Sequence, residues 1–184
     1  NVILLKDVIS NEIPLVGIEP SAILSFRDEY PNLVGKELKK EAEKLAKNCL
    51  LYDEFIMQEF EKEHITASQF AVNYNYIRLH GHCHQKSLAS VELSAKMLSI
   101  PVNYKVDILP TGCCGMAGSF GYEKEHYDIS MKIGEQSLFP LVREANANHI
   151  ISAPGVSCRQ QILDGTGVKA LHPISILKNA LISS

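Results

Sequence analysis

Five short apolar runs divide the chain, and each is followed within a few residues by glycine or proline. They cover residues 15–18, 76–79, 102–109, 149–152 and 169–171. Runs of this length that are rich in β-branched residues and bounded by breakers predict β-strands. The chain is therefore predicted to contain several short strands at intervals that leave room for helices.

Between these runs, apolar residues recur at helical spacing with charged residues opposite, which predicts helices packed on a core. The repeats are Leu38, Ala42, Leu45, Ala46; Tyr52, Phe55, Ile56, Phe60; Leu88, Val91, Ala95, Leu98; Tyr127, Met131, Leu138, Val142; and Ile174, Leu177, Leu181. Strands that alternate with helices favour a parallel sheet. We predict an α/β fold, a doubly wound parallel-sheet domain of about four to five strands with helices on both faces.

The composition fits one globular domain and narrows the classes of partner. The chain has 184 residues, of which 46% are apolar and 21% charged, enough to bury a full core. A formal net charge of −3 gives no basic surface for a nucleic acid. No apolar run approaches the ~20 residues of a membrane helix, so no membrane span is expected.

The N-terminus starts at Asn1 and lacks both an initiating methionine and a basic segment. It therefore does not resemble a signal peptide. We expect residues 1–184 to be a single domain cut from a longer protein. The expected location is the cytoplasm, with the inner face of the membrane as the alternative.

Five cysteines in a chain of this size, with no secretion signal, do not indicate a disulfide framework. Reduced thiols that bind a metal or take part in catalysis are the better interpretation. Cys49 continues the helical pattern that starts at Leu38, and we predict a structural role for it. The other four cysteines follow predicted strands closely; they are Cys83, Cys113, Cys114 and Cys158. Because ligands bind beyond the carboxyl ends of parallel strands, we expect these four at one edge of the sheet.

The first cysteine loop, residues 80–86, places three histidines at a period of two around Cys83. Imidazole and thiolate are metal ligands, so His82 and His84 are candidates beside Cys83. The alternative is that a histidine only caps the helix that follows. A position at a helix N-terminus would favour the thiolate form of Cys83.

The second loop carries the adjacent pair Cys113 and Cys114. Neighbouring side chains diverge and seldom bind one tetrahedral ion, whereas a multi-iron cluster offers a separate iron to each. A vicinal disulfide is the alternative. Glycines at a spacing of three would let the backbone approach a bound group; they are Gly112, Gly115, Gly118 and Gly121. Neither a dinucleotide-binding nor a P-loop pattern is present, so the signal for a phosphate site is weak.

In the third loop, Cys158 lies at a predicted helix start, and Arg159 is next to it. The guanidinium would help to hold a negatively charged cluster or an acidic cofactor. The alternative is an ordinary surface arginine.

The combination of motifs resembles the cysteine-rich CCG domain. That domain occurs in the heterodisulfide reductase B subunit, the glycolate oxidase iron–sulfur subunit and the anaerobic glycerol-3-phosphate dehydrogenase C subunit. The chain is more similar still to the C-terminal end of fused FAD-linked oxidases of the D-lactate dehydrogenase type. The segments that carry the resemblance are residues 19–21, 26–30, 80–86, 112–121 and 157–162.

This resemblance implies electron transfer within a FAD-linked 2-hydroxy-acid dehydrogenase. Upstream flavin and ferredoxin-like domains or subunits would be the partners, and an acceptor such as a quinone would receive the electrons. The implied cofactor here is an iron–sulfur cluster, a four-iron one on the four loop cysteines, with His82 or His84 assisting. FAD would belong to an upstream part, so the isolated domain is not expected to be catalytic alone.

Two positions depart from the family pattern. Ala22 stands where relatives have a cysteine after Glu-Pro-Ser, and Gly155 stands where many have a further cysteine. Two other functions therefore stay open: a zinc site, structural or hydrolytic, and a cofactor-free module that docks a subunit.

Overall fold

Five parallel strands form the framework of the protein in a computed structural model that describes residues 1–182. The strands are β1 (Leu15–Gly17), β2 (Cys49–Leu51), β3 (Asn75–Leu79), β4 (Tyr104–Ile108) and β5 (His149–Ser152). They make two sheets, one of β1 and β2 and one in the order β4-β3-β5. All three pairings are parallel, as the alternation of strands with helices predicted.

Eleven α-helices lie between and around the strands of the described part of the chain. They are α1 (Val2–Leu5), α2 (Pro20–Ile23), α3 (Glu29–Leu33), α4 (Lys39–Lys47), α5 (Tyr52–Glu61), α6 (Cys83–Leu88), α7 (Val91–Leu98), α8 (Tyr127–Glu135), α9 (Leu138–Arg143), α10 (Val156–Thr166) and α11 (Pro173–Asn179). Short 3₁₀ turns occupy Leu24–Phe26, Lys36–Leu38, Ala67–Gln69 and Phe120–Tyr122.

Both faces of the three-stranded sheet are covered. Ile77 in the central strand is fully buried in a core formed with α5, α7 and α11. On β5, Ile150 packs against that core, whereas its neighbour Ile151 packs into a second core with α9 and α10. Successive residues of a strand point to opposite faces, so one sheet serves two cores. The predicted α/β fold with helices on both faces is confirmed.

The smaller sheet has a core of its own. Leu51 on β2 is fully buried there with Leu24 and with Leu45 of α4. Leu88, at the end of α6, packs against the same core. Helix α6, which follows β3 of the larger sheet, therefore packs its apolar end on the core of the smaller sheet.

Several element boundaries differ from the sequence pattern. Cys49 lies on β2 and not on the preceding helix, because α4 ends at Lys47. It is completely buried, in keeping with a structural role. The run at residues 169–171 forms only a single bridge, between Leu171 and Ser152.

Two of the helical repeats are each divided between two helices. The repeat that begins at Leu88 is broken after that residue, and the Ser90 side chain accepts a hydrogen bond from the N–H of Glu92 to start α7. The repeat that begins at Tyr127 continues through α8 and restarts at Leu138 in α9.

The carboxyl ends of the three paired strands carry the loops of interest. Pairing continues past the strand ends, since the N–H of His80 donates to Ser152 O at 2.8 Å and the N–H of Leu109 donates to Leu79 O at 2.9 Å. The loops that follow therefore leave the sheet side by side. Helices α6 and α10 begin directly after the first and third of these loops.

Within residues 1–182, none of the helices combines the length and the apolar character needed to cross a membrane.

Candidate metal centre

The three loops at this edge touch one another. His80 Nδ1 lies 2.6 Å from the hydroxyl of Thr111, which joins the first loop to the second. At Gly155 in the third loop, a Cβ would lie 2.4 Å from His82 Cδ2 and 3.2 Å from Cys158 Sγ. The missing side chain thus lets the third loop close onto the first.

The four loop cysteines come together at this junction. The Cys113 thiol lies close enough to the thiols of Cys114 and Cys83 for them to lower its pKa. The Cys158 thiol raises the pKa of Cys114, so these two side chains are neighbours as well. All are free thiols, so the adjacent pair does not form a vicinal disulfide. The structure therefore gathers the four predicted cysteines in a row, in the order 83, 113, 114, 158.

This row runs from the surface into the interior. Cys83 and Cys113 are exposed, whereas Cys114 and Cys158 are buried. One end of the thiol row is thus open to solvent or to a partner, and the other end is enclosed by the second core.

The cysteines differ in the direction of their pKa shifts. Hydrogen bonds from Cys114 and Cys83 lower the pKa of Cys113, and a hydrogen bond from Cys114 lowers that of Cys158 against the opposing effect of burial. The same bonds raise the pKa values of Cys83 and Cys114, whose protons they hold. Neighbouring cysteines of the row therefore have pKa shifts in opposite directions.

His82 serves as the N-cap of α6. Its Nδ1 accepts a hydrogen bond from the N–H of His84 at 3.2 Å and lies 4.0 Å from Cys83 Sγ. Burial lowers the pKa of this imidazole, which favours the neutral ring. One ring nitrogen is thus used for capping, the alternative considered from the sequence, while the ring itself lies against Gly155.

His84 lies further from the thiols. Its side chain is 42% exposed, and its Nε2 is 4.0 Å from a carboxylate oxygen of Glu29 on α3. The ring centroids of His84 and His82 are 5.7 Å apart. Of the two predicted histidines, His82 is the one that reaches the junction of the loops.

Two residues at the junction were not predicted as site residues. His80 is buried, contacts Thr111, and helps to lower the pKa of Cys158 through a hydrogen bond. Lys86 Nζ donates to the carbonyl oxygens of Thr111 and Gly112 in the second loop. The period-two histidine pattern contains His80 and could have indicated it. No sequence pattern indicates which groups the long side chain of Lys86 contacts.

The predicted cofactor-binding glycines differ in their surroundings. Gly115 has φ +102°, and a Cβ there would lie 2.2 Å from the carbonyl oxygen of Ser130. It is therefore required for packing against α8 within the chain itself. At Gly112 and Gly118 a Cβ would meet nothing within 4 Å, so the backbone there is open.

Arg159 binds its own loop. Its Nη1 donates to the carbonyl oxygens of Ala153 at 3.0 Å and Pro154 at 2.6 Å. The guanidinium thereby fixes the turn between β5 and the helix that carries Cys158. These contacts give Arg159 a structural partner in addition to any charge it presents to the site.

Four thiols are donors of the kind that soft metals and iron–sulfur clusters accept. In the part of the chain that the structure describes, however, no three His, Cys, Asp or Glu side chains are arranged to hold one metal ion.

Fold and site together define a parallel α/β protein with a four-thiol centre at the carboxyl ends of its strands. The chain is 29% identical over 167 residues to a D-2-hydroxyglutarate dehydrogenase from Escherichia coli (strain K12). The aligned region covers 89% of this chain and 15% of that protein. It is 28% identical over 176 residues to a D-2-hydroxyglutarate dehydrogenase from Pseudomonas putida, covering 94% of this chain and 16% of that protein.

A second kind of relative is the C subunit of the anaerobic glycerol-3-phosphate dehydrogenase from Escherichia coli (strain K12). It is 25% identical over 170 residues, with 92% of this chain and 41% of that protein covered. The chain thus spans less than half the length of these relatives. No family model matches the chain, and no solved structure shows significant similarity to it. The relatives confirm the resemblance to the CCG-type part of FAD-linked oxidases and related dehydrogenases.

Proposed function

We propose that this chain is the iron–sulfur electron-transfer part of a FAD-linked dehydrogenase that oxidises a 2-hydroxy acid. The observation that carries the proposal is the convergence of four thiols from three separate loops at one sheet edge. Core packing alone gives no reason for three loops to deliver cysteines to the same point. The names of the relatives add that proteins containing a similar segment are dehydrogenases.

In this proposal the four cysteines hold one four-iron cluster. Such a cluster, when bound, supplies one-electron transfer. Cys114 and Cys158 would anchor it on the buried side, and Cys83 and Cys113 on the exposed side. His82 would orient the first loop through its cap of α6 and contact the site from the flank.

The proposed partners follow from the exposed end of the thiol row. Upstream flavin and ferredoxin-like domains or subunits would deliver electrons, and an acceptor such as a quinone would take them. Electron transfer needs the donor and the acceptor close to the cluster, and the exposed side of Cys83 and Cys113 is where the chain leaves that access. The 2-hydroxy acid would bind to the flavin part and not to this chain.

Anaerobic reconstitution with ferrous iron and sulfide tests the cluster. We expect a visible absorption band and a paramagnetic-resonance signal after reduction, with both lost in Cys113→Ser and Cys158→Ser. Cys49→Ser is the matched control, since Cys49 is buried on β2 away from the loops and should leave both signals unchanged.

Metal analysis of the purified protein separates this proposal from the other two functions. Zinc without iron, at about one ion per chain, would establish a zinc site in its place. A protein that takes up neither iron with sulfide nor zinc would contradict any metal centre and leave a docking role for the fold.

A further inference from the structure

We infer that Lys86 is a positioning residue of the thiol centre. Its ammonium ties the Cys113 loop to the Cys83 helix by hydrogen bonds and places a positive charge beside the cysteines. The inference rests on the proposed function for its electrostatic part. The hydrogen bonds that form this tie are present in the protein without any metal.

The tie is a pair of hydrogen bonds. Lys86 Nζ donates to Thr111 O at 2.5 Å and to Gly112 O at 3.2 Å. These two carbonyls immediately precede Cys113, and Lys86 lies one helical turn after Cys83 on α6. A single ammonium thus connects the chain segments that carry the two exposed thiols.

Few other groups hold this part of the second loop. The Thr111 hydroxyl contacts His80 Nδ1 at 2.6 Å, and the N–H of Gly112 makes a long bond of 3.4 Å to the hydroxyl of Ser137. Among residues 1–182, Lys86 is the only donor to the Thr111 and Gly112 carbonyl oxygens. Removing the ammonium should therefore loosen residues 109–115, where His80 gives the other side-chain contact from the first loop.

The position of the Lys86 ammonium follows from its hydrogen bonds. Its two acceptors are the carbonyls of the residues that directly precede Cys113, and the lysine itself lies one helical turn after Cys83. The positive charge is therefore placed beside the two exposed thiols of the row. Arg159, by contrast, directs its Nη1 to the carbonyls of its own turn.

A positive charge at this position favours electron uptake by a bound cluster. Reduction adds a negative charge to the centre, and a nearby cation stabilises the reduced state more than the oxidised state. Loss of the charge should lower the midpoint potential. Lys86→Arg keeps the charge and the donors, so it should restore most of the wild-type behaviour.

The test compares Lys86→Met, Lys86→Arg and the control Lys96→Met, an exposed lysine on α7. Amide hydrogen exchange of the metal-free protein reports on the tie. We expect exchange in residues 109–115 to rise about tenfold in Lys86→Met, the size expected for lost bonds to a charged donor. Lys86→Arg and Lys96→Met should match wild type, and circular dichroism should confirm that all variants are folded.

The midpoint potential of the reconstituted protein reports on the charge. It should fall in Lys86→Met, recover in Lys86→Arg and stay unchanged in Lys96→Met. Unchanged exchange in Lys86→Met overturns the tie, and an unchanged potential overturns the electrostatic part. If the wild type binds no cluster, the proposed function fails and the electrostatic part fails with it, while hydrogen exchange still decides the tie.

Discussion

The carboxylate of Glu19 accepts a hydrogen bond at 2.9 Å from the backbone N–H of Val156, a residue 137 positions further along the chain. Val156 is the first residue of α10, which carries Cys158. Glu19 follows β1, so the smaller sheet is connected to the thiol centre through this bond. The hydroxyl of Ser21 donates to the other carboxylate oxygen at 3.0 Å and orients it. A negative charge at a helix N-terminus is favourable, and here it comes from a distant part of the sequence.

Replacement of this cap should lower stability. We expect Glu19→Ala to reduce the free energy of unfolding by about 1 kcal/mol, the usual cost of a lost N-cap acceptor. Glu19→Gln keeps a side-chain oxygen and should lose less, because only the charge is removed. Urea unfolding measures both, with the exposed Glu61→Ala as a control. Equal stability of Glu19→Ala and wild type would mean that the connection between the two sheets does not depend on this bond.

Thiol modification should separate the five cysteines by exposure. In the metal-free native protein, iodoacetamide should label Cys113 first, because this thiol is exposed and its pKa is lowered. The exposed Cys83, whose pKa is raised, should follow more slowly, and the buried Cys49, Cys114 and Cys158 should be spared. Peptide mass spectrometry quantifies each site, and addition of urea should make all five reactive. Labelling of Cys158 before Cys113 under native conditions would contradict the described arrangement of the row.

The meeting of the cysteines could be predicted because it depends on topology alone. Parallel strands deliver all their following turns to one edge, so a parallel sheet is enough to bring Cys83, Cys113 and Cys158 to the same edge. The separation of β1 and β2 into a sheet of their own could not be predicted. Strand pairing is set by long-range packing, and the three residues of β2 follow a helix whose pattern runs into them.

The roles of individual polar side chains were also beyond the sequence. Spacing marks His82 and His84 as equal candidates, yet the cap of α6 turns one ring toward the site and leaves the other near Glu29. Gly115 and Gly112 share one motif, but only the first is pressed against a backbone carbonyl. Such differences depend on which element packs on the loop, and this is a tertiary property.

A buried carboxylate behind α6 should make stability depend on pH. Asp53 is fully buried, and its Oδ2 accepts hydrogen bonds from Gln85 Nε2 at 2.8 Å and from the hydroxyl of Ser94. Burial raises the pKa of Asp53, with a smaller contribution from the charge of Glu54. The folded protein therefore holds this proton more tightly than the unfolded chain. Its contribution to stability is complete at low pH and is lost as pH rises from about 4 through the folded pKa.

Asp53→Asn should remove this dependence. The variant carries no buried charge, and its amide can donate to Gln85 Oε1, which is buried without a partner in the described structure. We expect the free energy of unfolding of the variant, relative to wild type, to rise as pH increases. Urea unfolding at several pH values measures the difference, with the exposed Asp107→Asn as a control. A difference that does not change with pH would exclude a raised pKa for Asp53.

The glycines of the second loop offer a matched pair of substitutions. Gly115→Ala forces a side chain into a left-handed backbone conformation and brings its Cβ to within 2.2 Å of Ser130 O, so neither strain nor collision can be avoided. We expect a loss of about 1–3 kcal/mol in the free energy of unfolding. Because Gly115 directly follows Cys114, the buried end of the thiol row should be displaced as well.

Gly112→Ala is the control for this pair, since its Cβ meets nothing within 4 Å. It should change stability by no more than about 0.5 kcal/mol, as for an ordinary surface substitution. Its effect on cluster uptake is therefore separable from folding. Normal uptake in Gly112→Ala together with weak uptake in Gly115→Ala would mean that the glycine motif serves the packing of the loop on α8. Weak uptake in Gly112→Ala at unchanged stability would instead indicate that the open backbone at Gly112 is needed by the bound group itself, as the sequence pattern suggested.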